Sequence, residues 1–168
     1  KSRNDNSDPN VINTGPGNQF WFTSLDHKID KVVKPLRDIL IANGEQLFIN
    51  LLYIAVGELS PFDHSTDPNE YAEFMLAVFQ HMQSTYGFVP DTIEIVNEPD
   101  ANYQVGFNQW YFGTGARLGE MFAATRTRLQ NAGFNPQFVI PAVTDMSNAD
   151  LYYDNANGIP GGGTTVLP

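Results

Sequence analysis

The chain has 168 residues, enough for one domain with a core of its own. Its formal net charge of −10 disfavours nucleic acid and anionic membrane surfaces as partners, and fits a neutral substrate such as a sugar. The absence of cysteine excludes disulfides and thiolate chemistry, and three scattered histidines offer no zinc-site spacing. The longest apolar run, Leu51 to Val56, is strand-sized rather than membrane-sized.

Residues 1–19 are polar, with Asp8-Pro9 and Gly15-Pro16-Gly17, and are expected to be loop. Over 24–42, apolar residues at Leu25, Ile29, Val32, Val33, Leu36, Ile39 and Leu40 repeat with helical spacing; Pro35 should kink or split this helix, and Asn43-Gly44 should close it. Residues 46–56 read as a strand buried on both faces. Asp67 then offers an N-cap, Pro68 a first helical position and Glu70 the third residue after the cap. Tyr71, Phe74, Met75, Val78, Phe79 and Met82 form one apolar face of that helix, which Gly87 should end.

A short β-branched strand follows over 92–98. After a loop rich in aromatics (Tyr103, Phe107, Trp110, Tyr111, Phe112), Thr114 can cap a helix reaching Ala132-Gly133, with Leu118, Met121, Phe122, Thr125 and Leu129 facing inward. Residues 138–143 read as a further strand, and 146–168 as a polar loop or tail with a flexible Gly161-Gly162-Gly163. The alternation implies an α/β fold with a parallel sheet and covering helices, either a barrel or an open doubly wound sheet. No glycine-rich phosphate loop follows any of the strands, so nucleotide binding has no support.

The densest chemistry is in Thr92-Ile93-Glu94-Ile95-Val96-Asn97-Glu98-Pro99-Asp100. A carboxylic acid at the C-terminal mouth of a buried strand is where a barrel enzyme places its acid. Pro99 cannot donate to a ladder and so ends the strand just after the carboxylate. The segment resembles the Asn-Glu-Pro signature of the retaining (β/α)8-barrel glycoside hydrolases, the clan that includes β-glucanases, xylosidases and glucosylceramidases. That resemblance implies a partial (β/α)8 TIM barrel with parallel strands and outer helices. It makes Glu98 the general acid/base of a retaining β-glycosidase acting on β-linked oligo- or polysaccharides, and Asn97 the ligand of the sugar 2-hydroxyl. No metal or cofactor is implied, and secretion is favoured by the resemblance alone. The lack of a His at the end of 46–56 departs from the cellulase-like families.

Matched to the family, Arg3-Asn4-Asp5 looks like the end of the second strand, and 46–56, 92–98 and 138–143 the third to fifth. The whole chain is then one partial barrel domain. A retaining mechanism needs a second carboxylate about 5 Å from the first, on the family's seventh strand, for which this sequence has no counterpart. The partners expected are therefore a carbohydrate and the remaining half of the barrel, from the same or another chain. The alternatives are a non-catalytic carbohydrate-binding module and a half-barrel assembly component.

Further substrate-binding candidates are weighed against blander roles. Trp110 and Tyr103 could stack on sugar C–H faces or could pin their own loop. Glu58 and Asp145 follow strands and could hold hydroxyls or simply face solvent. Arg3 could pair with Glu94, placed on the same strand face as Glu98 by simple alternation, or could orient a nucleophile as in the family. The Phe20-Trp21-Phe22 cluster is either core packing or a second aromatic platform, and His64 and His81 have no partner legible in the sequence.

Overall fold

The structure, a computed structural model, describes residues 5–15, 19–53, 67–100 and 115–159. Three short parallel strands, β1 (Asn50–Leu52), β2 (Thr92–Glu94) and β3 (Gln137–Val139), form a sheet whose spatial order follows chain order. Ile93 of β2 is in register with Leu51 and Phe138 on either side. Helices α3 (Pro68–Tyr86) and α4 (Ala116–Asn131) precede β2 and β3 and pack on each other. Both cover the Leu51–Ile93–Phe138 face: Phe138 meets Phe122 of α4 edge-on at 4.8 Å, and Tyr71 of α3 donates to the Ile95 carbonyl at 2.7 Å. The fold is thus mixed α/β with a small parallel sheet, as the alternation predicts.

Helix α3 forms where its local signals place it. The Asp67 side chain accepts from Asn69 N–H at 2.9 Å, Pro68 occupies the first turn, and Gly87 closes the helix at φ 74°. All six residues of its predicted apolar face are buried, and so are the five predicted for α4. The N-cap position of α4 is Gly115 rather than Thr114, which lies outside the described residues.

Three expectations need correction. Among the described residues of the strand predicted over 46–56, regular strand is confined to Asn50–Leu52 and is not buried on both faces: Phe48 is 65 % exposed and Leu52 39 % exposed. Among the described residues helices cover one face only, so Asn50, Leu52 and Val139 look outward on the other. The segment 24–42 is helical throughout but turns in two modes: α1 (Thr23–Lys28), a π-helical stretch (Ile29–Val33) and α2 (Lys34–Ala42). Pro35 has no N–H to give to the preceding turn, and the wider π stretch ends just before it. Only Ile29 of the predicted face is fully buried, whereas Val32, Leu36 and Ile39 are exposed. The polar tail predicted from 146 instead begins with a 3₁₀ turn (Met146–Asn148) and α5 (Ala149–Asn157), which packs on α4 through buried Tyr152 and Ala156.

Helix α3 also buries two acids. Glu70 and Glu73 are both almost fully inaccessible, near Asp5 of the N-terminal segment. Burial, reinforced by the charges of Asp5 and Glu70 and only partly countered by Arg128, pushes the Glu73 carboxyl up to about 8. Unfolding near neutral pH therefore releases a proton, because the exposed group titrates near 4.5. Stability from Glu73 should be complete below pH 4.5 and lost as pH rises through 8, at up to about 1.4 kcal/mol per pH unit. Urea unfolding across this window should show that slope in the wild type and a flatter profile in Glu73→Gln.

Candidate functional site

Glu98 sits just past the C-terminal end of β2, the central strand. The ladder does not run straight to it. Tyr53 N–H donates to Glu94 O at 3.4 Å, and the bond back to Tyr53 O comes from Asn97 N–H at 2.9 Å, one residue later than an unbroken parallel pair would give. One residue is thus inserted around Ile95 and Val96, both of which are buried, and simple alternation does not carry from Glu94 to Glu98. Tyr71 fixes this bulge by donating to Ile95 O, and burial beside Tyr53 pushes its hydroxyl well above the usual tyrosine range, so it stays a donor.

Beyond the bulge the pairing resumes toward β3. Asn97 bridges Ala142, and Glu98 N–H donates to Ala142 O at 2.9 Å. The strand predicted over 138–143 is therefore split into β3 and this bridge, with Pro141, which has no N–H, in the gap. Glu98 has φ 50°, the one non-glycine residue with positive φ among those described. Such a backbone costs about 1–3 kcal/mol and persists only where its surroundings impose it.

Those surroundings are specific. Pro99 is buried immediately after Glu98. Asp100 then reaches across to the segment after β3, accepting from Thr144 N–H at 2.7 Å, Asp145 N–H at 3.1 Å and Asn148 Nδ2 at 2.9 Å. Burial pushes the Asp100 carboxyl up, but these bonds outweigh it and hold the group below its usual value. The turn carrying Glu98 is thereby stapled to the neighbouring turn. Nothing in the residue pattern of the motif advertised this role for Asp100.

The other candidates are distributed unevenly. Asn97 and Glu98 are adjacent and half-buried at the strand end. Asp145 lies on the same side of the sheet through its bond to Asp100, and its own carboxylate caps the 3₁₀ turn by accepting from Ser147 N–H at 2.8 Å. That backbone bond holds its carboxyl below the usual range. Glu94 accepts from Asn50 Nδ2 at 3.1 Å, and the same Asn50 takes a bond from Thr92 at 2.7 Å, so a polar row runs across the uncovered face. Arg3, Glu58, Tyr103 and Trp110, together with Phe107, Tyr111, Phe112 and His64, lie outside the described residues. His81 has a partner that sequence spacing could not reveal: its Nε2 is 2.6 Å from Asp26, 55 positions away.

Among the described residues no group of three or more His, Cys, Asp or Glu could hold a metal ion, and no helix is long and apolar enough to cross a membrane. Comparison with known proteins identifies no relative: no family model, no curated protein and no solved structure matches the chain.

Proposed function

We propose that this chain carries the general acid/base of a retaining β-glycosidase acting on β-linked oligo- or polysaccharides, on part of a (β/α)8 barrel. The observation that carries the reading is the placement of Glu98. It is a carboxylic acid just past the C-terminal end of the central parallel strand, in a left-handed backbone held from both sides. Strain of this kind concentrates at functional sites, as do bulges such as the one before Asn97.

Glu98, as the acid, protonates the departing glycosidic oxygen while a second carboxylate, the nucleophile, attacks the anomeric carbon. Glu98, now a carboxylate, then takes a proton from the water that releases the sugar. The Asn97 amide holds the 2-hydroxyl, a bond that strengthens as positive charge develops on the ring. Neither step calls on a metal or cofactor. The sequential strand order, with both covering helices on one face, fits a barrel segment. The uncovered face, with Leu52 and Val139 exposed, supports completion of the sheet by further strands, from this or another polypeptide.

The test is turnover of an aryl β-glycoside by the protein with its completing strands, wild type against Glu98→Gln. Equal rates would refute the role of Glu98.

A further inference from the structure

Away from Glu98, a groove of about 870 Å³ runs between the segments 12–14 and 19–23 and the C-terminal half of α3. Tyr71, at the start of α3, touches the bulge before Glu98, whereas the groove is lined by Ala77 to Ser84 of the same helix. At the helical rise these residues lie roughly 9–20 Å further along the axis. The groove does not include Glu98, and its residues Trp21 and Phe22 also border Leu51, Leu52 and Tyr53 beside β1.

Its floor is aromatic and fixed. Phe20 is buried against Phe74 at 5.5 Å, and Phe22 stacks on His81 at 4.1 Å with the rings 16° apart. Asp26, the one carboxylate among the described lining residues, is already engaged by His81 at 2.6 Å and by the Tyr86 hydroxyl at 3.0 Å. Burial, with Asp26 and Asp30 nearby, pushes Tyr86 up to about 12, so its hydroxyl remains a donor to Asp26. What is left to meet a ligand is neutral: the side chains of Asn13, Thr14, Gln19 and Gln80, the Ser84 hydroxyl already donating to the His81 carbonyl at 3.1 Å. Beside them Trp21 keeps 50 % of its surface exposed, although both its neighbours in sequence turn inward.

We infer that this groove is a second carbohydrate site, taking a neutral saccharide whose apolar ring face stacks on Trp21 and whose hydroxyls bond the amides of Gln80 and Asn13. Amides both donate and accept, which matches the dual character of a sugar hydroxyl. An exposed indole beside them offers a flat apolar surface, and no Lys or Arg stands among the described lining residues to give an anionic ligand a counter-charge. The site performs no chemistry and does not depend on Glu98.

The experiment is a titration of the intact chain with cellohexaose and xylohexaose, followed by tryptophan fluorescence in Trp110→Phe, where Trp21 is the one remaining indole, and by amide NMR. Saturable change at Trp21, with side-chain amide shifts at Gln80 and Asn13, is expected. Binding should weaken about tenfold or more in Trp21→Ala, less in Gln80→Ala, and be unchanged in Glu98→Gln. The inference is overturned if Trp21→Ala and Gln80→Ala both bind as wild type does, which would place binding elsewhere. It is equally overturned if Trp21 and Gln80 do not respond up to about 10 mM of either sugar, a ceiling set by the weakest useful affinities. Preference for an acidic saccharide such as oligogalacturonate would overturn the assigned chemistry. Loss of hydrolysis in Glu98→Gln with groove binding intact separates this site from the catalytic reading.

Discussion

Hydrolysis of a β-glycoside with a poor leaving group is expected to slow about 10²–10⁴-fold in Glu98→Gln, the usual contribution of a positioned acid or base. The amide keeps the size of the side chain and its hydrogen-bonding reach, but has no proton to give to a departing alkoxide. A dinitrophenyl glycoside needs no such help, because its leaving group departs as a stable anion. Formation of the glycosyl-enzyme from that substrate should therefore be nearly spared, while its hydrolysis by water, which needs Glu98 as base, should become slow. Plotting kcat/KM against leaving-group acidity is the measurement: a steep dependence in the variant and a shallow one in wild type are expected. Parallel lines would mean that Glu98 does not transfer the proton. The backbone at Glu98 sharpens the expectation, since a residue held at φ 50° between Ala142 and the Asp100 staple is presented in one place.

The second large effect concerns stability. Helix α5 lies backbone-to-backbone on α4 through two glycines one turn apart. A Cβ on Gly119 would stand 2.3 Å from the Ala156 carbonyl oxygen, and one on Gly115 would stand 2.4 Å from that of Tyr152. In an isolated helix Gly→Ala would add up to about 1 kcal/mol of stability. Here the added methyl meets backbone that cannot rotate aside, so Gly119→Ala should destabilise the fold by about 1–3 kcal/mol net. Gly158→Ala, whose nearest contacts are ordinary at 3.6 Å, serves as the control and should be near neutral. Chemical denaturation of both variants checks this; a Gly119→Ala protein as stable as wild type would contradict the packing. The consequence reaches the candidate site, because the turn before α5 supplies Asn148 to the Asp100 staple, and Tyr152 reaches toward Pro99 O at 3.4 Å.

Where structure is decided within a few residues, the chain is legible. Asp67, Pro68 and Gly87 set the ends of α3 by capping and backbone preference, and a helical period of large apolar side chains marks the buried faces of α3 and α4. Pattern fails where a distant surface decides. The apolar run 46–56 reads as doubly buried because hydrophobicity reports a tendency to be covered, not what does the covering; Leu52 faces the side of the sheet that no described helix occupies. Helix α5 is invisible to periodicity because its buried side is just Tyr152 and Ala156, and the matching surface on α4 is made by missing side chains at Gly115 and Gly119.

At the candidate site the acid and its neighbour Asn97 are legible as a motif at a strand end. The bulge at Ile95–Val96 depends on hydrogen bonds to Tyr53, and the role of Asp100 on groups 44–48 residues later; neither leaves a local trace. The aromatic triplet Phe20-Trp21-Phe22 could be read as core or as platform, and the structure divides it: Phe20 is core, Phe22 stacks on His81 and Trp21 stays outside.

The most direct measurement is chemical rescue of Glu98→Ala by azide on an activated aryl β-glycoside, with the product identified by NMR. Removing the acid/base leaves room for a small anion to attack the glycosyl-enzyme without base assistance. If Glu98 is the acid/base of a retaining site, azide restores turnover and yields a β-glycosyl azide of retained configuration. Wild-type turnover in the variant without azide, or an α-configured product, would contradict it.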